Sequence, residues 1–290
     1  MNIENLPKGA LIDRPDARDF SAAPILSALP PLDWNAPFSL PEPPDEDQGQ
    51  SLSCVAQASS YYHWQLDPKD YSRRDLYCRI FQPQGGAYIR DGVKEIVNTG
   101  QATRDKMPDP KPETEANMRD ATGLNLALDG GNKERAFFSI TGTTIDAVAQ
   151  AIAQYQGVLF GVTGSNPGWQ DLSNPRPPAS GESTWGHCLF GFGYHMHNGL
   201  KCVIAKSSWC SAGVTVHHIK ENYFESGNTF SAWTMIPKGT NMANQAKVVK
   251  SKNSATVYVC YPVGDMPYLN EKSNVEGFVV PSPIPDTDSL

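Results

Sequence analysis

The hydrophobic pattern of this chain changes period once, near Val158, and that change limits the folds open to it. Ahead of Val158 the spacing is helical. Ser53 to Leu66 carries Val55, Ala58, Ser59 and Tyr62 at helical intervals with small residues between, as in a helix packed closely on more than one side. A second helix is expected over Asp91 to Thr99, closed by Gly100. A third should run from about Thr144 to Gln154, capped by Thr143 or Thr144. Beyond Val158 come short β-rich runs, VLFGV, HCLFGFGY, KCVIAKSS, GVTVHHI and SAWTMI, separated by Gly, Asn, Ser and Pro clusters. Helices first and strands second argue for an α+β protein with two lobes and against an alternating parallel sheet.

Nine of the 24 prolines fall in the first 44 residues, among them Pro15, Pro30, Pro31, Pro41, Pro43 and Pro44. They disfavour helix and predict an extended N-terminal arm over 1–28, lying on the surface. The stretches 105–135 and 165–183 are polar, Pro-containing connections. One further strand is expected over 255–261, followed by a tail in which Pro281, Pro283 and Pro285 alternate. The net charge of -7 excludes a polybasic nucleic-acid binder, because phosphate backbones would be repelled. No apolar run approaches the roughly 18 residues of a membrane span. The first 20 residues lack the basic start and apolar centre of a secretory signal, so an intracellular or virion-associated protein is expected. Six scattered cysteines without a CxxC pair read as reduced thiols.

Cys54 follows the turn-like stretch DQGQSLS and opens the first helix, where the helix dipole favours a thiolate. Around it, QGQSLSCVAQ resembles the QGxCGSCWAF signature of papain-like cysteine peptidases, with Gln48 six residues before Cys54. Leu32-Asp33-Trp34 is similar to that family's mature amino-terminal VDW, and Pro15 to Phe20 resembles the leader of bacterial and phage relatives. Trp185-Gly186-His187-Cys188-Leu189 through Gly193-Tyr194 resembles the GHAVxxVGY strand, and Lys206-Ser207-Ser208-Trp209 the KNSWG motif. His187 follows Cys54 by 133 residues, within the roughly 130–150 quoted for this family's nucleophile and base.

The resemblance implies a papain-like two-lobed fold, a helical lobe followed by an antiparallel β-barrel-like lobe. Its parts would be the arm at 1–28, a helical lobe with the nucleophile helix at 29–150, a β-rich lobe with His187 at 151–240, and the C-terminal strand and tail at 241–290. It also implies a thiol hydrolase in which Cys54 attacks a peptide carbonyl, His187 carries the proton and Gln48 helps hold the oxyanion. Ser207 stands where the family places the Asn that orients the imidazole, Trp209 would shield that contact, and Gly85 and Gly86 resemble the glycines that bind extended substrate. Leu52 replaces a small Gly beside the nucleophile, which narrows the cleft. The arm is too short for the family's helical inhibitory propeptide, so the full-length chain is expected to be competent without its removal. The competing reading is a catalytically impaired papain-fold binding or structural protein, such as a phage particle component assembled through its termini. The expected partner is a peptide or protein substrate. No cofactor is expected, since no phosphate-binding loop is present. His195 and His197 share a strand face, and the adjacent His217 and His218 face oppositely. No metal site is expected from them, because no third and fourth ligand follows at a recognisable spacing. The run Asp45-Glu46-Asp47 reads as a solvated turn.

Overall fold

Two cores share one sheet, and the strand that carries His187 runs through its middle. The computed structural model describes residues 3–17, 19–124, 132–140 and 142–237, with strand backbones at 247–250, 257–262, 278–279 and 283–284. In chain order the strands of the main body are β1 (Ala10–Leu11), β2 (Phe38–Ser39), β3 (Ala87–Tyr88), β4 (Ala136–Ser139), β5 (Val158–Ser165), β6 (Thr184–His197), β7 (Leu200–Lys206), β8 (Val216–Lys220) and β9 (Thr229–Ile236). The main sheet has the order β4-β9-β5-β6-β7-β8, with β2 also paired to β6, and every pairing in it is antiparallel.

Alternation along β5 shows why its sequence reads as one apolar run. Val158, Phe160 and Val162 enter one core, while Leu159 between them enters the other. A strand buried on both faces has no polar positions to alternate with. The first core packs against the Ile145–Tyr155 helix, and the second against the Cys54–Leu66, Arg73–Ile80 and Ile89–Asn98 helices. The domain boundary expected at 150/151 therefore falls inside a helix that packs on the β-rich part.

The three expected helices form with small shifts of their ends. Cys54–Leu66 is buried without a break from Cys54 to His63. Its close approach to the Ile89–Asn98 helix depends on Gly92, where a Cβ would lie 2.4 Å from the Ser59 hydroxyl. The Tyr62 hydroxyl ties the same helix to the Ile145–Tyr155 helix by donating to the Tyr155 carbonyl (2.8 Å), and to β9 by accepting from the Met235 amide (3.0 Å). Thr144 caps the Ile145–Tyr155 helix by accepting from the Ala147 amide. The Arg73–Ile80 helix was not expected. Its signal is Ser72-x-x-Asp75, in which the Ser72 hydroxyl accepts from the Asp75 amide.

The C-terminal strand expected over 255–261 is found as Val257–Pro262, paired antiparallel with Lys247–Lys250. Pro283–Ile284 pairs with the same strand, while Pro281 and Pro285 lie outside the described residues. No helix among the described residues is long and apolar enough to cross a membrane.

Candidate active site

Cys54 is the first residue of its helix, and β6 packs against that helix, which brings the backbone amide of Cys188 near enough to favour the Cys54 thiolate. His187 precedes Cys188 on β6, and both Cys54 and His187 are fully buried. The His187 ring stacks on Trp209 with centroids 3.9 Å apart and planes 22° apart. Gln48 is positioned from two sides: its side-chain oxygen accepts from the Ser208 hydroxyl, and its amide nitrogen donates to the Ser51 carbonyl at 2.8 Å. The fold thus gathers Cys54, His187, Gln48 and Trp209 from three separate stretches of chain.

The N-terminal arm, expected on the surface, occupies this groove. Trp209 Nε1 donates to the Pro7 carbonyl at 3.1 Å, and Gln48 Nε2 approaches the same oxygen at 3.4 Å. The Gly9 amide lies near enough to Cys54 to favour its thiolate. Ala87 N donates to the Gly9 carbonyl at 2.9 Å, and β1 continues beside β3 in a parallel pairing, Ala10 with Ala87 and Leu11 with Tyr88. Glycines make this approach possible. A Cβ on Gly9 would lie 2.1 Å from the Leu52 carbonyl oxygen, one on Gly86 2.1 Å from the Gly9 carbonyl, and one on Gly186 2.3 Å from the Ala10 carbonyl. Gly85 and Gly86 both take positive φ, and the Leu52 side chain would meet a Cβ on Gly85 at 2.6 Å. Prolines made the arm extended, as the sequence suggested. Its backbone donors and acceptors then found partners in the groove instead of in water.

Asp13 anchors the arm beyond the groove. Trp233 Nε1 donates to its carboxylate at 2.6 Å, the Arg90 amide donates to both oxygens, and its own amide donates to Ser231 Oγ. Burial outweighs these donors and raises its carboxyl to about 6.

Burial also decides the charge state of the two reactive groups. The Cys54 thiol is pushed up to about 11, even though the amides of Cys188, Gly9, Val55 and Cys54 itself favour the thiolate. The helix-terminus effect, commonly below about 1 kcal/mol, loses to desolvation. His187 is held well below its ordinary range by burial first, with His217 and Lys8 acting the same way. Neither of its ring nitrogens has a hydrogen-bond partner among the described residues. With the arm seated, the thiol and imidazole are both neutral, in place of the thiolate expected at the helix start.

Ser207 corrects a further expectation. Its hydroxyl lies 2.7 Å from His217 Nε2, so its hydrogen bond goes to that ring and not to His187. His217 Nδ1 contacts the Leu172 carbonyl, which can only accept, so Nε2 is the acceptor and Ser207 donates to it. Sequence reasoning missed this buried histidine because strand register, not chain distance, brings it under Ser207. The acidic run, expected as a solvated turn, keeps Asp45 exposed but is tethered at all three residues. Asp45 pairs with the buried Lys206, Glu46 with Arg73 at 2.8 Å and Arg104 at 2.6 Å, and Asp47 accepts from the amides of Gly49 and Ser211. These contacts tie the loop before Gln48 to both parts of the molecule.

No protein-family model and no curated protein sequence matches the chain. Solved structures do. Xylellain, a cysteine protease from Xylella fastidiosa, aligns over 81% of this chain and 97% of its own with TM-score 0.62 and 20% identity. Digestive procathepsin L2 from Tenebrio molitor larval midgut aligns over 81% and 79% with TM-score 0.60 and 14% identity. ProCathepsin B S9 from Trypanosoma congolense aligns over 82% and 88% with TM-score 0.59 and 13% identity. At these identities the likeness is one of fold, and the chain has the papain-like fold of these cysteine proteases.

Proposed function

We propose that the protein is a papain-fold thiol hydrolase acting on peptide bonds, held with its own residues 7–10 across the nucleophile. The observation that carries this reading is the setting of Cys54. It starts a buried helix six residues after Gln48, whose side-chain amide donates to the Ser51 carbonyl, and it packs on the strand that carries His187 and Cys188, with nearby backbone amides that favour its thiolate. In the reaction the Cys54 sulfur forms a bond to the substrate carbonyl carbon, and the carbonyl oxygen takes up negative charge. The Gln48 side-chain amide, which in the closed form approaches the Pro7 carbonyl, would stabilise that charge. His187 takes the thiol proton and delivers it to the leaving amine as the C–N bond breaks. Water then releases the acyl group and restores the thiol.

The seated arm fills the place of a substrate, since the Gly9 carbonyl already accepts from the Ala87 amide and Ala10 pairs with Ala87. Catalysis therefore requires its displacement, contrary to the expectation that the full-length chain is competent as it stands. A bacterial or phage type belongs to the same proposal, on the leader-like stretch from Pro15 to Phe20.

A second reading, a papain-fold binding protein without turnover, is favoured by one observation: neither His187 ring nitrogen has a hydrogen-bond partner among the described residues, and the Ser207 hydroxyl is committed to His217. A peptidyl electrophile directed at thiols, followed by mass spectrometry and a peptide-cleavage assay, separates the two. The hydrolase reading expects an adduct on Cys54 and loss of cleavage in Cys54→Ala with the fold retained. Cleavage undiminished in Cys54→Ala would sink it.

A further inference from the structure

Three histidines away from the groove converge although the sequence spaces them apart. His195 and His197 stand on one face of β6. The pairings His195 with Cys202, Cys202 with Lys220, and Ile204 with His218 place His218 of β8 on that same face, across β7. His195 Nε2 lies 3.0 Å from His218 Nδ1. The His197 and His218 rings stack with centroids 4.7 Å apart and planes 10° apart, and His195 and His218 stack at 4.9 Å. One ring nitrogen from each of the three lies within 4.8 Å of the others. All three are partly exposed, so neither core packing nor burial of polar atoms accounts for the grouping.

We propose that His195, His197 and His218 bind one divalent transition-metal ion of the zinc class, with a remaining coordination position open to water. Zn–N bonds of about 2.0–2.1 Å at tetrahedral angles separate ligand nitrogens by about 3.3 Å. His195 and His218 already stand near that spacing, and small side-chain rotations bring in His197. Imidazole is a ligand that suits zinc, copper and nickel over calcium or magnesium. Burial and the neighbouring rings hold His195 and His218 below their ordinary range, which leaves them neutral and able to donate a lone pair. Lys220 acts on His218 as a like charge and opposes the ion, which limits the affinity without removing a ligand. The third ligand that sequence spacing lacked is supplied by the strand register. A bound ion would clamp β6 to β8 across β7. These are the strands that carry His187 and His217.

The test is zinc titration of the untagged full-length chain by calorimetry, with the visible spectrum of added cobalt(II) as a second readout. One zinc per chain is expected, with binding weakened at least about tenfold in His218→Gln and in His195→Gln. Both substitutions lie on a partly exposed face, and an unchanged melt without metal confirms folding. Should His218→Gln misfold, His197→Gln carries the same expectation. Cys54→Ala is expected to bind zinc like the parent. The proposal is overturned if no zinc binds, if the histidine variants bind as tightly as the parent, or if Cys54→Ala abolishes binding and so places the ion in the groove.

Discussion

Replacing Gly9 by Val should unseat the arm and switch on the Cys54 thiol. The added Cβ would fall 2.1 Å from the Leu52 carbonyl oxygen and 2.8 Å from its carbon. These are backbone atoms that cannot rotate away, so the arm must leave. Its departure gives up the bonds between Ala87 and the Gly9 carbonyl and between Trp209 and the Pro7 carbonyl, each contributing about 0.5–1.5 kcal/mol. Water then reaches the sulfur. The seated arm helps hold the thiol at about 11 against an ordinary 9.0, and relaxing that difference raises the thiolate fraction near neutral pH by up to about a hundredfold. Since the thiolate is the reactive form, alkylation of Cys54 by iodoacetamide at pH 7.5, followed by mass spectrometry, should accelerate by a factor of that order. Ile12, 65% exposed, supplies the control, and Ile12→Ser should react like the parent. A folded Gly9→Val protein whose Cys54 reacts at the parental rate would refute the reasoning, because Cys54 would then be buried by the body of the protein and not by the arm.

Other expectations rest on single contacts. Ser207→Ala removes the donor to buried His217 Nε2 and should cost about 1–3 kcal/mol in chemical denaturation, whereas Ser207→Asn should restore little turnover unless the Asn side chain turns toward His187. His217 is held to about 4 in the folded protein against an ordinary 6.5 by burial. The folded state therefore carries fewer protons than the unfolded chain between those values, so this contribution is intact above pH 6.5 and lost as pH falls toward 4. The loss reaches about 3 kcal/mol, and His217→Phe should flatten the slope of stability with pH across that window. Asp13 has the opposite sign: its carboxyl, at about 6, binds a proton more tightly when the arm is seated. Arm docking should therefore weaken as pH rises from about 4 to 6, read as faster Cys54 alkylation once the rate is corrected for thiolate fraction. Gly92→Ala should destabilise by about 1–3 kcal/mol, because its Cβ would meet the Ser59 hydroxyl at 2.4 Å.

Local sequence determined the elements of this protein. Apolar spacing marked the Cys54–Leu66 and Ile145–Tyr155 helices, and the β-rich runs after Val158 became the central strands, because periodicity reports directly on which faces are buried. The Ser72-x-x-Asp75 cap was equally present in the sequence, as the start of a helix too polar for apolar spacing to reveal. The short motifs around Cys54, His187 and Gln48 likewise marked residues that the fold gathers into one groove. Tertiary structure alone decided what those residues meet. Proline content made the arm extended, but only the facing surfaces of Gly9, Gly86 and Gly186 could admit it over the sulfur. Strand register gave the Ser207 hydroxyl to His217 and carried His218 to His195. The charge of Cys54 was set the same way. A helix start favours a thiolate wherever it occurs, whereas desolvation depends on every segment packed above it, and those segments are distant in the chain.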